Sequence, residues 1–205
     1  KNFKNFYVIN DFDISTHNMS GYTIIGLNTR QTHITITDIS WNGGGLKDCY
    51  FSGTFADNSY IEVENCEIGN INNITVRAKS SYLSGTIELN DTINSNFYNC
   101  TDGFSGYGTP IIQVNDCQDL MFWGYSGGIK ITNIITPGTN VNLNFNSGRL
   151  VVDSSCIEGT IIVRGVGSLV GTTGGTVIDK TGLIDNPSIS VSVLDASTSS
   201  HQITG

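Results

Sequence analysis

Two aspartates, Asp102 and Asp119, occupy equivalent places in the sequence and form the candidate catalytic pair. Each lies two residues after a cysteine, Cys100 or Cys117, and the two cysteines are 17 residues apart. If one turn of the fold separates the aspartates, their carboxylates stack about 5 Å apart, at the spacing of neighbouring strands. Glycosidases need two carboxylates, about 5–5.5 Å apart for retention and about 6.5–9.5 Å for inversion. The pair therefore raises the hypothesis of a polysaccharide hydrolase or lyase.

Two aromatic residues that follow, Trp123 and Tyr125, are candidate ligand-binding residues, because their rings offer a platform on which sugars stack. The alternative reading is structural. Aspartate is common at corners because its side chain bonds to the nearby backbone, and the aromatic rings then belong to the core or contact a neighbouring protomer. A calcium site using Asp102 and Asp119 would need six to eight oxygen ligands, of which only two side chains can be named. We expect neither a metal nor a cofactor.

The cysteines are the second chemically suggestive set. There are five, an odd number, without CxxC spacing, and the three histidines lie far apart in the sequence. This pattern disfavours both a zinc site and a complete disulfide framework. The cysteines instead mark a repeat, with Ser81 and Ile134 filling the two gaps. The predicted structural ladder is Cys49, Cys66, Ser81, Cys100, Cys117, Ile134 and Cys156.

The ladder is predicted to hold small buried side chains, since free cysteine behaves as a small hydrophobe and Ser and Ile replace it. A redox or metal site is the alternative. Apolar and polar residues alternate before most marks, for example in residues 61–63 and 112–114, as half-buried strands require. A small polar residue precedes each residue of the predicted ladder and glycine often follows, which is the composition of a corner.

A degenerate repeat of this length, without helical periodicity, is typical of a solenoid of strands. We therefore predict an all-β fold, a right-handed parallel β-helix with turns of about 17 residues and short non-repeat ends. The β-helix is expected over residues 34–170. Residues 1–33 are interpreted as an N-terminal entry segment or cap, and residues 171–205 as a Gly/Thr/Ser-rich β exit segment or linker.

Composition and charge restrict the partners. The net charge is −8 and no basic stripe is visible, which argues against nucleic acid. No apolar run approaches the ~20 residues that cross a bilayer, so membrane insertion is not expected. The chain begins with Lys rather than Met and ends in a soft polar stretch, and we interpret it as a piece of something longer.

Two segments carry a recognisable pattern: "FWGYSGGIKITNI" in residues 122–134 and "SGRLVVDSSCIEGTIIVRGVGSLV" in residues 147–170. The pattern resembles the C-terminal β-helical repeats of structural proteins in tailed bacteriophages, the fibre, spike and adsorption-apparatus class. The match is close over residues 122–167 and loose over residues 38–184. The resemblance implies a homotrimeric component of the virion, located in the tail or another appendage and extracellular when mature.

The expected function is structural: a rigid module with a host-attachment or assembly role, not an enzyme. Its partners would be other virion proteins and a host surface glycan or receptor. Two alternatives stay open, a polysaccharide-degrading tailspike using Asp102 and Asp119, and a secreted bacterial adhesin built on the same rod. An apolar set is expected to be exposed and to need a partner: Tyr50, Phe51, Phe122 and Trp123.

Overall fold

The computed structural model describes residues 4–15, 18–89, 94–103, 109–115, 117, 119–153, 155–156, 160–165, 178–179, 190–195 and 200–204. These residues form eighteen strands that are joined in one sheet. None of them forms a helix of the length and hydropathy that a bilayer crossing demands.

The first strands are short and the middle ones are long. They are β1 (Lys4–Tyr7), β2 (Phe12–Ile14), β3 (Tyr22–Ile25), β4 (His33–Ile39), β5 (Asn42–Lys47), β6 (Tyr50–Glu64), β7 (Glu67–Lys79), β8 (Tyr82–Leu83) and β9 (Thr86–Leu89). There follow β10 (Ser95–Tyr98), β11 (Thr101–Asp102), β12 (Ile111–Val114), β13 (Asp119–Thr132), β14 (Asn140–Val152), β15 (Thr160–Gly165), β16 (Ile178–Asp179), β17 (Ser190–Asp195) and β18 (Ser200–Thr204).

The strands pair as successive turns of a coil. Strand β1 pairs with β3, β3 with β5 and β5 with β6, all in parallel. Parallel neighbours need a long connection between them, and here the rest of each turn supplies it. The chain is a parallel β-solenoid of about seven turns, and this prediction from the sequence is confirmed.

Each turn has three stretches, which we call faces A, B and C. Face A contains β1, β3, β5, β10, β15, β17, the second halves of β6 and β7, and the first parts of β13 and β14. Face B contains β2, β4, β8, β11 and the first halves of β6 and β7. Face C contains β9, β12, β16 and the last parts of β13 and β14.

The core consists of columns of inward side chains, one residue from each turn. On face A one such column is Ile24, Leu46, Val63, Ala78, Phe97, Phe122 and Leu143. Every member is buried. The rings of Phe97 and Phe122 stack with centroids 4.6 Å apart and an interplanar angle of 8°. Burial of such columns removes apolar area from water in every turn, so the stabilisation accumulates along the coil.

The described part of residues 1–33 pairs in register with the turns that follow and continues the coil. Phe6 is in register with Ile24, and Phe12 is in register with Ile34. The repeat was hidden in the sequence because a long corner separates β3 from β4 and a register shift interrupts the pairing of β5 with β6.

At the other end, β16 and β17 pair in parallel with β14 and β15, so strands of the expected exit segment extend the sheet. Strand β18 then folds back antiparallel on β17. The rest of residues 166–205 lies outside the described residues.

Candidate functional site

The corner between faces A and B is built from residues with left-handed backbone. Asp48, Asn65, Ser80 and Asn99 have φ between 51° and 53°, and Gly124 follows in the next turn with φ of 71°. Such angles are costly for most residues, but Asn and Asp tolerate them and glycine adopts them freely. The backbone N–H of Asn99 donates to the carbonyl of the residue before Gly124, at 2.8 Å. The left-handed residue turns the chain so that the next side chain points inward.

The inward residues after this corner form the observed corner column: Cys49, Cys66, Ser81, Cys100 and Tyr125. Backbone bonds from one turn to the next establish the stacking, since the residue after each member donates its N–H to the carbonyl of the preceding member. Every member is buried. The first four members of the predicted ladder therefore share one column, and Tyr125 takes the fifth place.

The last three members of the predicted ladder, Cys117, Ile134 and Cys156, are also buried but lie at another corner, between faces C and A. There the hydroxyl of Thr139 donates to the carbonyl of Cys117, and the N–H of Asn133 donates to a serine hydroxyl of the following turn. The prediction of a single column is therefore wrong for these three residues.

The error has a physical cause. Both corners require a small polar residue followed by a small inward residue, so the same short sequence pattern occurs at both. In addition, the turn that begins at Tyr98 is long, because Tyr98 pairs with Trp123, which lies 25 residues farther on. Cys117, which follows Cys100 by 17 residues, therefore lies at the corner between faces C and A and not one full turn after Cys100.

The thiols are buried and poorly suited to nucleophilic chemistry. All five cysteines are free and buried, as the sequence predicted. The hydrogen bond with the Cys66 thiol, together with burial, raises the pKa of Cys49 far above its ordinary value. Burial raises the pKa of Cys100 and of Cys156 to about 11. The reactive thiolate is thereby disfavoured. Within the described ranges no three His, Cys, Asp or Glu residues cluster as metal ligands would.

The two candidate carboxylates are not brought together. Asp102 ends β11 on face B, where it pairs with Leu83, whereas Asp119 begins β13 on face A and pairs with Asn140. The predicted stacking of Asp102 on Asp119 is wrong, because it relied on the single cysteine column. Asp102 instead accepts hydrogen bonds from the N–H of Gly128 at 2.9 Å and from the Thr101 hydroxyl at 3.2 Å.

Tyr125 does not present its ring to solvent. Its side chain is fully buried, and its hydroxyl donates to the carbonyl of Gly128 at 2.8 Å. Burial raises the pKa of Tyr125 well above the ordinary value for tyrosine. Phe51 and Phe122 are buried as well, so the expected exposed apolar set is wrong for these two residues. Both lie in inward columns, which the sequence alone did not assign.

Trp123 does face solvent, and the structure gives it a partner that sequence reasoning missed. Its side chain is 56 % exposed, and its neighbour in register, Tyr98, is 43 % exposed. Met121, two residues before Trp123, is also exposed. We call Tyr98, Met121 and Trp123 the aromatic patch. The signal for Tyr98 is its place directly before the left-handed Asn99, a position whose side chain points outward.

Polar residues border the aromatic patch on the two adjoining turns of face A. Lys79 is in register with Tyr98 on one side of the patch, and Asn142 and Asn144 are in register with Met121 and Trp123 on the other. Arg77 lies farther away on the Lys79 side, in register with Asn96, which itself pairs with Met121. The guanidinium of Arg77 lies 5.2 Å from the centre of the Tyr60 ring. The arrangement offers apolar ring faces next to amide and cationic donors, which suits a ligand with both kinds of surface.

The chain matches no protein-family model, and no curated protein or solved structure matches it at a significant level. A β-solenoid serves many unrelated functions, so its architecture alone does not indicate which one this chain performs. A functional proposal must therefore rest on the aromatic patch and on the sequence pattern.

Proposed function

We propose that this chain is a non-catalytic structural and binding module of a virion appendage, and that its aromatic patch contacts a host surface glycan. One observation carries the binding part of the proposal: Tyr98 and Trp123 are exposed in register on adjacent turns of a parallel sheet. Buried inward side chains and continuous backbone ladders hold both strands in place.

The scaffold suits binding because it is ordered before the ligand arrives. Aromatic side chains that already stand on a rigid surface lose little conformational freedom when they bind. The inward neighbour of Tyr98 and Trp123 on each strand is Phe97 or Phe122, and these two rings stack in the core. This stack fixes the two strands that carry the patch.

The chemistry of the patch fits a sugar with polar and acidic groups. The C–H faces of a pyranose ring are apolar and can stack on Tyr98 or Trp123, while hydroxyl groups can bond to the bordering Asn144. The exposed Lys79 and Arg77 favour a carboxylate or phosphate substituent. A charged bacterial polysaccharide combines these features.

The assignment to a virion is supported by the sequence resemblance over residues 122–167. The same resemblance supports a homotrimer, in which several weak glycan contacts act together and raise avidity. Mass measurement in solution tests the trimer. A secreted adhesin would use the same surface, and neighbouring genes distinguish the two settings: capsid and terminase genes indicate a phage, secretion genes an adhesin.

The enzyme alternative has lost its proposed carboxylate pair, because Asp102 and Asp119 lie on different faces. Its test is an assay of host polysaccharide cleavage with the protein and with its D102N/D119N variant. Cleavage by the protein that the double variant lacks would revive the alternative.

Binding is tested on a glycan array that contains bacterial capsular and lipopolysaccharide fragments. We expect a set of acidic glycans to bind the protein and to bind W123S and Y98S at least about tenfold more weakly, which corresponds to about 1.4 kcal/mol. The matched control is Y7S, since Tyr7 is 75 % exposed but lies far along face A, in the first described strand. Unchanged binding by W123S and Y98S would overturn the proposal.

A further inference from the structure

Two side-chain amides converge on one point at the edge of the aromatic patch. Asn99 and Asn146 are both exposed, and they lie on the turns before and after the turn that carries Gly124. A β-carbon at Gly124 would lie 2.6 Å from Oδ1 of Asn99 and 3.6 Å from Nδ2 of Asn146. Gly124 directly follows Trp123 in the sequence, so the two amides meet beside the exposed indole ring. We call Asn99, Gly124 and Asn146 the amide gap.

Gly124 interrupts a column of polar side chains at the corner between faces A and B. The four preceding turns place residues with left-handed backbone and a polar side chain at this corner: Asp48, Asn65, Ser80 and Asn99. Asparagine side chains on successive parallel strands form ladders, in which the amide of each rung bonds to the amide of the next. Gly124 has no side chain, so one amide is missing between Asn99 and Asn146.

The amide gap keeps an acceptor on one side and a donor on the other. Nδ2 of Asn146 donates to the carbonyl of Gly124 at 3.0 Å, which fixes the end of this amide that faces the gap. A primary amide carries a second N–H, so Asn146 can donate once more. Within the described ranges no protein donor bonds to Oδ1 of Asn99. The two sides of the amide gap therefore offer complementary groups to a ligand.

A secondary amide has the shape that these two groups require. The backbones of Asn99 and Asn146 lie on turns two strand spacings apart, which is about 10 Å. A trans amide directs its N–H and its C=O to opposite sides, as each peptide group does between two neighbouring strands. Its N–H can donate to Asn99 while its C=O accepts from Asn146. A hydroxyl group must make both bonds from one oxygen atom and bridges a shorter distance.

We propose that the amide gap binds the acetamido group of an N-acetylated amino sugar whose ring stacks on Trp123. The inference rests on the proposed function, because the aromatic patch supplies the ring contact, and it names the class of sugar that the patch selects. The acetamido group projects from the edge of the pyranose ring, and the amide gap lies beside the indole in the same way. Lys79 lies on the far side of Tyr98, where it can contact an acidic sugar of the same glycan.

Two neutral trisaccharides isolate the acetamido group from the effect of charge. Triacetylchitotriose and cellotriose share ring configuration and linkage, and they differ in carrying an acetamido or a hydroxyl group at C2. Binding is followed by tryptophan fluorescence, since the chain has two tryptophans and the other one, Trp41, is fully buried. We expect triacetylchitotriose to bind at least about fivefold more tightly than cellotriose, which corresponds to about 1 kcal/mol.

Three variants at one corner locate the contact. N99G removes the amide but retains the left-handed backbone, so it should reduce the preference for triacetylchitotriose to less than about twofold. N99D keeps an acceptor oxygen, and Asp48 adopts the same backbone at this corner, so N99D should retain the preference. The matched control N65G makes the same change at this corner away from the amide gap and should behave as the parent. Far-UV circular dichroism confirms that all three variants are folded.

The outcomes separate this inference from the proposed function. Equal affinity of the parent for the two trisaccharides overturns the inference, and so does a preference that N99G leaves unchanged or that N99D or N65G abolishes. Binding of acidic glycans on the array, with neither trisaccharide bound at millimolar concentration, also overturns the inference but leaves the proposed function standing. Failure of every saccharide, neutral or acidic, to bind overturns both.

Discussion

The sulfur atoms of Cys49 and Cys66 lie 3.6 Å apart in the corner column, on consecutive turns of the coil. Both side chains are buried, and the pKa of Cys49 is raised by its hydrogen bond with Cys66 and by burial. The pair therefore serves as core packing. Its proximity follows from the left-handed corner residues Asp48 and Asn65, which turn both cysteines inward at the same place.

The thiols are expected to be unreactive in the native state. All five are buried, and thiolate formation is disfavoured where the pKa is raised. At pH 8 an aromatic disulfide reagent should label the native protein at the rate of unfolding, and should label all five cysteines at once in denaturant. Rapid labelling of any thiol in the native protein would contradict this packing.

Alkaline pH should destabilise the fold through the same cysteines. Burial raises the pKa of Cys100 from the ordinary 9.0 to about 11, so the native state holds its proton more firmly than the unfolded chain. The protonated Cys100 thiol contributes fully to stability below pH 9. This contribution, on the order of 2–3 kcal/mol, is lost as the pH rises towards and through 11. Urea unfolding between pH 8 and 11 measures this loss. C100A should show a shallower decline, and an identical decline would assign the effect to other groups.

The corner itself can be tested at Asn99, whose φ is 51°. N99A should lower the free energy of unfolding by about 1–2 kcal/mol, because alanine is strained in the left-handed backbone conformation that asparagine tolerates. N99G should be close to neutral, since glycine adopts this conformation without strain. Equal losses in both variants would mean that the backbone angle is not the source of the effect.

The fold could be predicted from the sequence because its determinants repeat. Alternation of apolar and polar residues, as around Ile61 and Val63, indicates a strand. Asn or Asp before a small inward residue indicates a corner. A single chain has only a few kinds of corner, however, and they share one chemistry. The sequence at Asn99–Cys100 therefore could not be told from that around Cys117, although the two sites lie at different corners.

The candidate site was predictable only where it did not depend on turn length. Trp123 is exposed, as the platform hypothesis required, but its partner is Tyr98 and not Tyr125. The choice between them depends on the residue at which the backbone turns. That residue is Gly124, so side chains on its two sides point in opposite directions, Trp123 outward and Tyr125 inward.

The roles of Asp102 and Asp119 can be separated by stability. Asp102 accepts a hydrogen bond from the N–H of Gly128 in the next turn, so D102A leaves that partly buried donor without its partner. We expect D102A to cost about 1–3 kcal/mol in urea unfolding. D119A changes a partly exposed side chain at the start of β13 and should stay within about 0.5 kcal/mol of the parent. A catalytic pair would give the opposite signature, small and similar stability changes with a shared loss of turnover, because such carboxylates act on substrate and do not hold the backbone.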